Sequence, residues 1–98
     1  MILHTVTFTL KHQVGTLEEK NFLQAGMALG DLPMVQNFRC FRQVSDKNDF
    51  DLGFAMEFVS EEDYQAYNQH PVHVAFVSSR WIPEVENFLE LDYCPYET

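Results

Sequence analysis

The chain has 98 residues, 46% of them hydrophobic, and 15 acidic side chains against 6 basic ones give a formal net charge of -9. That length suits a single domain over residues 1–98, able to bury roughly 60–65% of the surface its unfolded form exposes, so it folds with little stability to spare and a partner chain would help. The negative charge repels phosphate backbones and anionic headgroups, and no stretch approaches the ~20 apolar residues of a membrane span, so neither nucleic acid nor a membrane is an expected partner.

Residues 2–11 alternate, with Ile2, His4, Val6, Phe8 and Leu10 on one face and Leu3, Thr5, Thr7 and Thr9 on the other, which is the period-two pattern of a strand. The opening residues hold neither a basic segment nor a continuous apolar one, so a secretory leader is not expected and the location reads as cytoplasmic. Thr16-Leu-Glu-Glu19 forms a capping box that opens a helix with the apolar stripe Phe22, Leu23, Ala25, Gly26, Met27 and Leu29, and Gly30 suits a left-handed cap at its end. Residues 35–45, carrying Phe38, Cys40 and Val44, pair across the polar turn Asp46–Asp51 with residues 52–59, which alternate through Phe54, Met56 and Phe58. Ser60-Glu-Glu-Asp63 caps a second helix through Tyr64 and Tyr67 toward His70, a further helical turn or two spans Val72 to Trp81, and Val85, Leu89, Leu91 and Tyr93 mark the last strand. Cys40 and Cys94 form no CxxC pair and read as reduced core thiols.

The order β-α-β-β-α-β implies an α+β protein with a four-stranded antiparallel sheet and two helices on one face, the ferredoxin-like arrangement. The other face is left uncovered. Thr5, Thr7, Thr9, Arg39, Phe41, Ala55, Glu57 and Phe88 would lie there, too many aromatics for solvent and too many polar groups for a dry core. A second copy of the sheet would cover it, making the protein a homodimer.

The stretch Asn68-Gln-His-Pro-Val-His73 carries the chemistry. Pro71 cannot continue the preceding helix but suits the first position of a new one, with His70 as its cap and His73 at the third position. There the helix dipole and burial both favour a neutral imidazole, which can accept a proton. Three readings stay open: His73 is a general base, or it is a hydrogen-bonded core residue with His70 as a simple cap, or His70, His73 and His4 hold a metal. No cysteine or carboxylate has an evident claim as a further ligand, so no metal and no cofactor are expected. Tyr67 packs against the sheet or aims its hydroxyl at a ligand. His4 points toward the helices with Val6 and Phe8. Phe22, Leu23 and Met27 are core by default, but Gly26 between them removes a side chain where a cavity could open, and Trp81 could close that layer.

The strand bearing His4, Leu32-Pro33 after the first helix, Tyr67-x-x-His70-Pro71-x-His73 and the closing Leu91-Asp92-Tyr93 together resemble the stress-responsive dimeric α/β barrel (Dabb) family over essentially the whole chain. The resemblance implies a ferredoxin-like protomer whose open sheet face meets that of a second protomer, forming a dimeric α/β barrel. It is similar in particular to the polyketide cyclases of the olivetolic acid cyclase type, which need no cofactor. That similarity implies His73 as general base, Tyr67 as its hydrogen-bonding assistant, and His4 and His70 in supporting roles; with Phe22, Leu23, Met27 and Trp81 from the layer around Gly26, they are the residues expected around a small apolar or ketide-like ligand. The residue types on the first helix differ from the cyclases, so substrate identity does not transfer. Two functions are therefore expected as alternatives: a cofactor-free enzyme of aldol or proton-transfer type, or a non-catalytic stress-response protein that holds a small ligand.

Overall fold

In the computed structural model, which describes residues 1–97, the N-terminal alternation becomes strand β1, Ile2–Leu10. Helix α1, Leu17–Met27, begins where the Thr16 hydroxyl accepts the Glu19 amide. Glu19 reaches back one residue beyond the expected box, accepting the Gly15 amide at 3.2 Å and the Arg42 guanidinium at 2.8 Å. Burial would raise its pKa, but the Arg42 hydrogen bond, the Gly15 amide and the charge of Arg42 outweigh that and hold the carboxyl below the ordinary range. A 3-10 turn, Ala28–Asp31, follows α1 and corrects one expectation. Gly30 is not left-handed; a Cβ there would sit 2.9 Å from the Phe38 Cβ, so it is small because β2 passes over it. The left-handed glycine is Gly15, with φ 85°.

Strands β2, Gln36–Arg42, and β3, Leu52–Phe58, form the expected hairpin; Val44 lies beyond it, exposed. Helix α2, Glu61–Gln69, is capped by Ser60, whose hydroxyl accepts the Asp63 amide. Helix α3, Pro71–Phe76, runs into a π turn, Val77–Trp81, and a last helical turn, Ile82–Glu84, before β4, Val85–Tyr93. The four strands form one antiparallel sheet in the order β2-β3-β1-β4, with both helical layers on one face. Cys40 and Cys94 are both free, but only Cys40 is partly buried; Cys94 is exposed past the end of β4.

The last strand departs from the expected facing. Thr9 pairs with Asn87 but Leu10 pairs with Val85, so Glu86 is an extra residue and the register shifts. A one-residue shift moves every later side chain to the opposite face. Phe88 therefore lies opposite Phe8 on the helix side, not on the open face. Leu89, Leu91 and Tyr93 take its place beside Thr7, Thr5 and Leu3. Strand β4 is consequently inverted: apolar away from the helices and acidic, through Glu90 and Asp92, toward them.

The core on the helix side is aromatic, with Phe8, Phe22 and Phe58 fully buried and Phe54 packed 4.9 Å from Phe8 between ring centroids. Gly26 faces this layer. A Cβ there would lie 2.5 Å from the Phe54 ring, so its missing side chain admits that ring and opens no cavity. Phe54 is wedged between Phe8 and Phe38 and has little room to yield. Overpacking costs about 1–3 kcal/mol, against about 1 kcal/mol gained by alanine over glycine in a helix. Gly26→Ala is accordingly expected to lower the melting temperature by a few degrees, and calorimetry showing a raised one would contradict this packing.

Candidate active site

The junction between α2 and α3 is built around the His-Pro pair. His70 stops α2 in an extended conformation and its ring accepts the Val72 amide at 3.1 Å, while Pro71 takes the first position of α3. This turn carries His73 back over the last turn of α2. Its Nδ1–H donates to the Asn68 carbonyl oxygen at 3.2 Å, and its ring lies against that of Tyr67 with centroids 4.2 Å apart. A carbonyl oxygen only accepts, so the proton of the neutral ring sits on Nδ1 and Nε2 keeps its lone pair. Burial is the largest influence on His73 and lowers its pKa below the ordinary imidazole value of 6.5, aided by the nearby His4 and His70 rings and opposed by the Asn68 hydrogen bond and by Glu90. Burial, more than the dipole of a six-residue helix, is thus what keeps this ring neutral.

A second imidazole is oriented by a carboxylate. His4 Nδ1 lies 2.6 Å from Asp92 Oδ1, and the Tyr64 hydroxyl donates to Asp92 Oδ2 at 2.8 Å while its oxygen stands 3.0 Å from the same His4 nitrogen. A carboxylate oxygen accepts, so His4 donates from Nδ1 to Asp92, which fixes the orientation of its ring. Burial first, then the hydrogen bond and charge of Asp92, push the Tyr64 phenol well above its ordinary range. The Tyr67 phenol is raised mainly by burial and secondarily by Glu90. Tyr64 commits its hydroxyl to this cluster, whereas the Tyr67 hydroxyl is bonded to no other described residue.

Both imidazoles border one cavity of about 360 Å³ between the helical layer and the sheet, at the small end of ligand sites. Tyr67, Trp81, Met56 and Phe88 supply much of its wall, and Asn68 and Glu90 complete the polar part. Of the residues expected around a ligand, His4, Tyr67, His73 and Trp81 are brought together here. Phe22, Leu23, Met27 and His70 are not: Phe22 is inaccessible core, Leu23 packs against that core, Met27 is 42% exposed, and His70 spends its ring on the α3 cap. The α1 stripe thus supplies core packing, because the ring of Phe54 occupies the space between Gly26 and the sheet.

Asp92, Tyr64, Glu90 and Phe88 were missed as site residues. For the strand residues part of the signal was present: Phe88, Glu90 and Asp92 share one parity along the last strand, opposite to that of Leu89, Leu91 and Tyr93. Among the described residues no group of three or more histidine, cysteine or acidic side chains converges on a metal position. The arrangement can remove a proton at Nε2 of His73 and donate a hydrogen bond from Tyr67 to an oxygen gaining charge.

The stress responsive A/B barrel domain matches residues 2–95. No curated protein matches the chain in sequence. Among solved structures, the chain is similar to a dabb family protein with a ferredoxin-like fold from Mesorhizobium loti, at 52% identity and a TM-score of 0.96, covering 98% of this chain and 97% of that one. It shares its fold with a hydroxynitrile lyase from Passiflora edulis, at 17% identity and a TM-score of 0.84, covering 99% and 94% of the two chains. A dimeric ferredoxin-like protein of unknown function from Thermobifida fusca aligns at 18% identity and a TM-score of 0.78, covering 96% and 90%.

Proposed function

The chain belongs to the stress responsive A/B barrel domain family, and from that premise we propose that it is a homodimeric, cofactor-free enzyme in which His73 is the general base. The observation that carries this reading is the pairing of a neutral imidazole, its tautomer fixed by the Asn68 carbonyl, with an uncommitted tyrosine hydroxyl in one apolar cavity. Nε2 of His73 takes a proton from a carbon flanked by carbonyls, or from a hydroxyl beside the bond that breaks. Tyr67 stabilises the oxygen on which charge develops. Both directions of an aldol-type addition need only these parts and the exclusion of water. That a hydroxynitrile lyase uses the same fold is consistent with this class of chemistry. Tyr67 acts as a donor and not as a base, since its raised pKa keeps it protonated.

The homodimer is supported by Phe41, Leu89, Leu91 and Tyr93, each about half exposed, on the open sheet face, and by a dimeric neighbour of the same fold.

The test is a thermal-shift screen with neutral β-dicarbonyls, aromatic aldehydes and cyanohydrins, followed by product analysis on every hit. A hit converted to product, with imidazole NMR placing the His73 pKa below 6.5, is the expected result. A ligand that is held unchanged would favour the alternative, a non-catalytic ligand-binding protein. A His73 that titrates at or above the ordinary value would remove the base from the proposal.

A further inference from the structure

The inverted polarity of β4 bears on which molecules the cavity accepts. Glu90 stands opposite Val6 on the helix side of the sheet and borders the cavity. It takes part in none of the ion pairs among the described residues. Its neighbour on the same face, Asp92, holds His4. No lysine or arginine borders the cavity. Of the six basic residues, Arg39 and Arg42 are on β2 at the far edge of the sheet, Arg80 is committed to Glu84 and Asn21, and Lys11, Lys20 and Lys47 lie away from the cavity walls. Glu90 is therefore the one carboxylate on the cavity wall, with no lysine or arginine beside it, and the whole chain adds a field of the same sign.

We propose that Glu90 is a specificity-determining residue that restricts the cavity to uncharged small molecules, neutral carbonyl or hydroxy compounds with an apolar body, and turns carboxylates away. This rests on the reading of the cavity as a ligand site, and it narrows the substrate class beyond what the family fold implies. The only groups that could offset the carboxylate charge are the imidazoles of His4 and His73. His4 is already paired with Asp92, and His73 presents a bare Nε2, an acceptor that repels a carboxylate oxygen as Glu90 does. Glu90 also raises the pKa of Tyr67 and opposes the lowering at His73, so its charge is felt where a ligand head would sit. A substrate with an ionised acid next to its reacting carbon therefore meets like charge at the position where the reaction needs it closest.

Benzamide and benzoate test this directly, since they match in shape and differ in charge. Their binding is followed by NMR through the His73 and Tyr67 signals in the wild-type protein, E90Q and E90K, with melting curves confirming that each variant is folded. Wild type is expected to bind benzamide at least about tenfold more tightly than benzoate. E90Q should narrow that ratio to within about threefold, E90K should reverse it, and high salt should narrow it in wild type because Glu90 is exposed to screening. Benzoate binding as tightly as benzamide, a ratio unchanged in E90Q, or neither probe reaching the cavity would each overturn the proposal. The ratio is a binding measurement, so a His73→Ala variant that kept full turnover would sink the general-base reading while leaving this result intact.

Discussion

Replacing His73 with alanine is expected to lower kcat by about 10²- to 10⁴-fold, the range associated with loss of a positioned general base, or roughly 3–5 kcal/mol of barrier. The side chain is only partly buried and makes one backbone hydrogen bond, so the variant should fold and the loss should appear in turnover. Tyr67→Phe keeps the ring that packs on Phe58 at 5.2 Å and His73 at 4.2 Å and removes only the hydroxyl. A smaller loss, about 10- to 100-fold, is expected there, because a donor to a developing charge is removed while the base remains. The pH profile gives an independent check. A base whose pKa is depressed by burial is active above that pKa and is lost as pH falls through it, so the acid limb of kcat/KM should lie below pH 6.5 in wild type and vanish in the alanine variant. Turnover within about threefold of wild type in His73→Ala would end the general-base assignment.

Light scattering is expected to return twice the chain mass of 11.5 kDa, and Leu91→Asp to return a monomer. Leu91 sits on the open face of the edge strand β4, beside Thr5 and across β1 from Ala55. Two-fold symmetry would bury both copies, so one substitution removes two leucines and inserts two carboxylates. Burial of a leucine is worth about 1.5–3 kcal/mol. Losing two corresponds to at least about a hundredfold weaker association before any cost of burying charge is added. The cavity lies on the other side of the sheet, so a folded monomer that still binds ligand would separate assembly from site formation. A wild-type protein that scatters as a monomer at micromolar concentration would remove the barrel.

Local signals were legible and register was not. The hydroxyls of Thr16 and Ser60 cap α1 and α2 as their spacing implies, and His70-Pro71 starts α3 where proline chemistry requires. Those features depend on neighbours within four residues. Facing of the last strand depends instead on the extra residue Glu86, which pairing with β1 alone reveals, so Phe88 was expected on the open face and Leu89 and Leu91 were not. Depth was hidden for the same reason: the α1 stripe gives a direction for Phe22 and Leu23 but not what fills the space above Gly26, which is Phe54 from a strand 28 residues later. The His73–Tyr67 pair was visible because both belong to one motif. The His4–Asp92–Tyr64 cluster was not, since its members are gathered from β1, β4 and α2.

The π turn from Val77 to Trp81 bears on how this cavity can be reshaped. Such a turn holds one residue more than an α-helical turn and is the less stable arrangement of the backbone. Were the same residues wound as an ordinary α-helix instead, everything after the turn would be rotated by about one residue, or about 100°. Trp81, now wedged between Phe8 at 5.0 Å and Phe88 at 5.6 Å, would swing off that wall along with Ile82. Chain length here acts as a tuning parameter in its own right: the one extra residue held by this turn sets which side chains face the space before His73 and Tyr67 without altering either residue.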